Sequence, residues 1–157
     1  MNSKRSRVSG FSLLELIVVV VIIGIIAAVA IPRLSRGSAG ASDSALSGDL
    51  AVLRNAIDVY SAEHAGAFPT QANVVAAMTA YTDASGATAT TKDATHIYGP
   101  YVRKIPPLPV GARTGCAGIA AADATGIGWI YDPVTGNITA NTTAQEADAG
   151  GKLYNTY

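Results

Sequence analysis

The sequence predicts an α+β fold: one long N-terminal helix, transmembrane in its first half and amphipathic in its second, packed on a small head with a short antiparallel sheet. Three observations carry that expectation. Residues 16–31 contain no charged and no strongly polar side chain. Leu46, Leu50, Leu53, Ile57, Tyr60 and His64 then recur at alternating steps of four and three, which sets them on one stripe of a helix. Finally, two β-prone runs flank the turn residues Asp132-Pro133-Val134-Thr135-Gly136. In a chain of 157 residues, an apolar anchor leaves room for one modest globular domain.

The first element is a basic leader, residues 1–10, carrying Lys4, Arg5 and Arg7. Setting those three aside leaves eight basic residues against 11 acidic ones, a poor balance for neutralising phosphates, so no nucleic-acid partner is expected. The next element, residues 11–33, approaches the roughly 20 residues that cross a bilayer as a helix. Basic residues precede it, with only Arg33 and Arg36 just after it, so the positive-inside rule leaves the N-terminus cytoplasmic and the bulk of the chain outside. A secretory signal would have a shorter apolar core and a small-x-small cleavage site, a feature that Ala27, Ala28 and Ala30 imitate. Against that reading stand the length of the run and the carboxylate of Glu15 near its start. A lone charge in hydrocarbon costs about 2.5 to 3.5 kcal/mol on insertion scales, so Glu15 asks for a partner or a purpose.

Gly10-Phe11-Ser12-Leu13-Leu14-Glu15-Leu16 followed by an apolar run resembles the leader junction of type IV prepilins and pseudopilins, over about the first 33 residues. The resemblance implies that a prepilin peptidase cuts after Gly10 on the cytoplasmic side and methylates the new N-terminal residue, Phe11. The charge chemistry is consistent with this. A cut there removes three positive charges and creates an ammonium four residues before Glu15, and such a pair is far less costly in a low-dielectric layer than an unpaired carboxylate. As the family implies, the pairing runs between neighbouring subunits, so that Phe11 and Glu15 set the stagger of a growing filament. The plainer alternative for Glu15 is an interfacial carboxylate snorkelling to the headgroups. Gly24 and Pro32 weaken a helix by about 1 and about 3 kcal/mol relative to Ala. In the family the corresponding stretch melts on filament assembly, and a simple kink at Pro32 is the alternative.

Residues 34–65 continue the helix in amphipathic form, with bending expected in the small, polar joint at residues 36–42. Gly66 and Pro69 mark its end. His64 at the end of the stripe reads as a core-edge histidine, since His96 lies in a different, loop-like context. The remainder, residues 66–157, is the head. A second helix is expected over residues 71–81, capped by Thr70 and directing Val74, Val75 and Met78 toward the first. Residues 82–95, rich in Thr, Ala and Gly, read as an exposed loop. Residues 99–109 hold four prolines. Bare pattern permits a polyproline II ligand there, whereas the Gly-Pro-Tyr start is similar to a loop of major pseudopilins, which implies an ordered coil anchored by Tyr101, Ile105 and Leu108. In the hairpin, Trp129 and Tyr131 alternate onto one face and Ile130 onto the other, with residues 142–157 wrapping the sheet edge.

The single cysteine, Cys116, forms no intrachain disulfide and reads as a small buried apolar residue rather than a reactive thiol. There is no nucleophile with a base, no phosphate loop and no clustered histidines, so an enzyme is not expected. Major pseudopilins carry calcium in the C-terminal region, which makes Asp132, Glu146 and Asp148, with Asp123, the candidate ligands. Their spacing does not map onto the family's site, and solvated surface carboxylates are the plainer reading. The expectation is therefore a major, G-type pseudopilin of a type II secretion system, with a type IV pilus pilin serving adhesion, motility or DNA uptake as the alternative. It would lie in a bacterial inner membrane with its head in the periplasm. Its expected partners are membrane lipid, prepilin peptidase, copies of itself in a homo-oligomeric helical filament, minor pseudopilins and an inner-membrane assembly platform.

Overall fold

The computed structural model describes residues 11–157 and divides at Ser38/Ala39 into two compact units. Helix α1, Leu13–Glu63, supplies residues to both. In the first unit the helix starts at Ser12, whose hydroxyl accepts the Leu14 N–H at 3.3 Å while its carbonyl accepts the Leu16 N–H at 3.1 Å. Ser12 and Glu15 have the spacing of a capping box, and Glu15 lies in the first turn, where the helix dipole favours a carboxylate. The backbone stays α-helical through Gly24, through Pro32 and through residues 36–42.

The second unit has an α+β architecture. The predicted stripe of α1 is buried from Leu46 to His64, joined by Ala56. The helix ends where Ala65 and Gly66 take positive φ, the Gly66 N–H returning to the Ser61 carbonyl at 2.8 Å. Helix α2 is shorter than expected, Val74–Thr79. Thr70 caps no backbone N–H; its hydroxyl donates to the Asn73 side chain at 2.9 Å, and residues 71–73 form turns. Val74 and Met78 are buried, but Val75 is 42% exposed: on a six-residue helix a single stripe reaches the core, and adjacent valines point 100° apart. The expected loop at residues 82–95 carries strand structure, since β1, Tyr81–Thr82, pairs antiparallel with β2, Thr88–Ala89.

The larger sheet has the order β3-β4-β5: Gly118–Ala120, Ile127–Tyr131 and Ile138–Ala140. The β4–β5 pair is the predicted antiparallel hairpin, with Trp129 opposite Ala140 and Tyr131 opposite Ile138. Strand β3 joins β4 in parallel. A parallel neighbour usually needs a long crossover. Here a three-residue strand covers about 10 Å, and the six residues that follow reach about 20 Å at full extension, enough to bring the chain back. Backbone crowding requires glycine at two places. A Cβ on Gly128 would lie 2.0 Å from the Cys116 carbonyl oxygen, and one on Gly136, at φ 72°, would strike the Phe68 ring at 2.4 Å.

The core fills between the α1 stripe, α2 and this sheet, with Trp129 completely enclosed. Its indole N–H donates to the Pro106 carbonyl at 2.8 Å, and the Tyr131 hydroxyl donates to the Pro69 carbonyl at 2.9 Å. The proline-rich coil is an ordered wall of that core: Ile105 and Leu108 are buried, Tyr101 packs half-buried against them, and the Tyr101 and Val102 amides both bind the Met78 carbonyl. Ile105 and Leu108 are thus turned inward, while Pro100, Arg103, Lys104 and Pro107 stay exposed. Cys116 is half-buried, less enclosed than expected.

Candidate functional site

The candidate processing and assembly site begins with residues that physical chemistry leaves unsatisfied. Gly10 and the basic leader lie outside the described residues. Phe11, at 84% exposed, and Glu15 both face outward at the start of α1. From Leu13 to Ile31 the helix has a mean hydropathy of 3.2, with none of the span buried, and its large apolar side chains are exposed on every side. It is long and apolar enough to cross a membrane. Leaving that surface in water forfeits roughly 25 cal/mol per Å² of apolar area, so the segment requires lipid or other apolar helices around it. A Cβ placed on Gly24 would meet nothing within 4 Å, so no contact among the described residues explains that glycine.

The head carries the candidate metal ligands, and the structure does not bring them together. Among the described residues no group of three or more His, Cys, Asp or Glu side chains is placed to hold a metal ion. Calcium takes six to eight converging oxygens, whereas each candidate carboxylate closes its own turn. Asp132 accepts the Val134 N–H and the Thr135 hydroxyl at 2.9 and 2.8 Å. Glu146 accepts the Thr143 N–H at 2.6 Å with one oxygen and the Ala112 N–H with the other. Asp148 accepts the Gly150 and Lys152 amides at 2.7 and 2.9 Å with one oxygen and the Tyr157 hydroxyl with the other. These donors hold all three carboxyls below their ordinary range, the largest cause being the Val134 amide for Asp132, the Thr143 amide for Glu146 and the Tyr157 hydroxyl for Asp148.

Asp123 and Glu146 do line one pocket of about 380 Å³, but Arg113 lines it too, and its guanidinium binds Asp123 at 2.7 Å. That cation already supplies the charge a metal would bring. The residues present therefore do not fit the expected calcium site. The separation in sequence of Asp132 from Glu146 and Asp148 was compatible with either arrangement, since only backbone geometry decides whether carboxylates converge.

His64 takes the predicted core-edge position, 5% exposed and stacked on Tyr60 at 3.8 Å between ring centroids. Its ring nitrogens lie 2.8 Å from the Tyr60 carbonyl and 2.9 Å from that of Asp83. Sequence reading missed the residues that tie the last segment to α1. The Tyr154 hydroxyl donates to Asp43 at 2.8 Å, and Arg54 donates to the main-chain oxygens of Ile138, at 3.1 Å, and Tyr157. Asp43 and Arg54 stand on the polar side of the helical pattern, and nothing local to them points to partners a hundred residues away.

Residues 5–31 match the model of the prokaryotic N-terminal methylation motif. The match supports a type IV pilin-like family and, with the apolar helix at Leu13–Ile31, fits a membrane-anchored structural protein. No curated protein and no solved structure matches the chain.

Proposed function

We propose that this chain is a structural subunit of a type II secretion pseudopilus, processed at Gly10/Phe11 and assembled from the inner membrane into a periplasmic filament that drives protein export. The observation that carries the filament reading is the junction itself: a basic leader, Gly10-Phe11, and a carboxylate at Glu15 opening an apolar helix that none of the other described residues covers. In this mechanism prepilin peptidase removes residues 1–10, and with them three positive charges. The new Phe11 ammonium of one subunit pairs with Glu15 of a neighbour, and apolar helix surfaces that lipid covered before assembly cover one another afterward. Attraction between those charges is strong only where water is excluded, so the pair sets register as the helix leaves the bilayer. Gly24 and Pro32 supply the low helix propensity that lets the segment loosen during this transfer.

The narrower choice of pseudopilin over pilin rests on the resemblance of the Gly99-Pro100-Tyr101 coil and the Gly128-Trp129 hairpin to major pseudopilins. Mass spectrometry of the mature chain tests the processing: an N-methylated Phe11 is expected, and an intact Met1 or a cut near Ala30 would overturn it. Glu15→Ala should abolish filament assembly while leaving the chain in the membrane, and unchanged assembly would remove Glu15 from the mechanism. Deleting the gene should stop export of folded proteins. Normal export with loss of surface pili would favour the pilin reading.

A further inference from the structure

We propose that residues 147–157 form a strap that this chain closes with its own phenols, amides and one guanidinium, independent of any bound cation. The mismatch between the expected calcium ligands and the structure is the starting point, but the positive evidence is the set of contacts found instead. Ala147 bridges Leu153, and the Tyr154 amide reaches the Glu146 carbonyl at 3.0 Å, so the strap folds on itself. Asp148 sits at its centre, one oxygen taking two main-chain amides and the other the Tyr157 hydroxyl. Lys152 lies 3.8 Å from the centroid of the Tyr157 ring, setting a cation on the face of the phenol whose hydroxyl binds the carboxylate.

Two residues of α1 then fasten the strap. Asp43 accepts the Tyr154 hydroxyl, and Arg54 bridges the main-chain oxygen of Tyr157 to that of Ile138 in β5. The 3₁₀ turn at Tyr154–Thr156 accordingly packs on β5. Hydrogen bonds to charged groups are about twice as strong as neutral ones, and this strap has charged partners at Asp43, Arg54 and Asp148. A cation at Asp148 would have to displace donors already seated on both of its oxygens. Such a device does what a metal clip does, fastening to the helix a segment whose Tyr154 and Tyr157 are only partly buried against the core.

The test uses the full chain in detergent micelles. Its melting midpoint should be the same in millimolar calcium and in excess chelator, and amide exchange at Gly151, Lys152 and Tyr154 should also be the same in both. Tyr154→Phe and Tyr157→Phe should each speed exchange at those amides about tenfold, the loss of one hydrogen bond to a charged acceptor, while amides of β4 and β5 keep their protection. A midpoint raised by calcium, or strap amides that slow when calcium is added, overturns the proposal. So does unchanged exchange in both phenylalanine variants. The comparison of calcium with chelator on the unsubstituted chain remains decisive even if a variant unfolds.

Discussion

The two halves of α1 share one backbone conformation and oppose each other in everything else. From Leu13 to Ile31 apolar side chains surround the axis, none of the span is buried, and the segment makes no core. From Leu46 to His64 only one stripe is buried, and residues such as Val52, Asp58 and Val59 remain exposed. A helix apolar all round has to find its solvent outside its own chain, in lipid or in neighbouring helices, whereas a striped helix finds it in the sheet and coil of the head. The difference teaches that hydrophobicity by itself does not mark a core; its angular distribution does.

Substitutions in the two halves should separate cleanly. In the head, Trp129→Ala removes the completely enclosed indole and the bond to Pro106, for a loss of about 3 to 5 kcal/mol in chemical denaturation of the micellar protein. Leu50→Ala, on the buried stripe, should cost about 2 to 5 kcal/mol and leave membrane partitioning intact. Val20→Arg should do the reverse, raising the insertion cost by about 3 kcal/mol in a membrane-integration assay with no change in head stability. If Leu50→Ala impaired integration, or Val20→Arg lowered head stability, the two halves would not be the separate devices described here.

Acid offers a finer probe, because the head holds carboxyls whose hydrogen bonds shift their titration. Asp123, Asp132, Glu146 and Asp148 all titrate below their ordinary values when folded. Their contribution is therefore present above the unfolded values of 3.8 and 4.5 and is lost as pH falls through the lower folded ones. Midpoints measured from neutral to acidic pH should hold steady and then fall below that range; a midpoint that rose there would contradict the assigned hydrogen bonds. The smallest effect is expected at Val75, where exposure predicts that Ala changes stability by no more than about 0.5 kcal/mol.

Much of this was legible in the residues because it depends on periodicity or on local chemistry. The stripe ending at His64 and the Trp129/Tyr131 alternation each repeat at the spacing of their element, so the face that becomes buried could be named in advance, and the apolar run is marked by having no such face. The second helix was misjudged by several residues because residues 71–73 form turns and the helix begins only at Val74, a boundary that propensity does not resolve. The parallel placement of β3 was equally invisible, since a three-residue strand carries almost no pattern.

The candidate sites divide along the same line. Gly10, Phe11 and Glu15 are recognisable in sequence because the methylation motif they belong to is a contiguous stretch of chain. The carboxylates of the head are not, for whether Asp132, Glu146 and Asp148 converge on a cation or each close a turn depends on where the backbone carries them. Sequence by itself determined that this chain has an apolar helix needing an external partner and a striped helix needing a head, because helical spacing converts order along the chain into direction in space. Only the tertiary structure decided that Asp43 meets Tyr154 and that Arg54 meets Tyr157, because partners so far apart in the chain are chosen by the packing of the whole head.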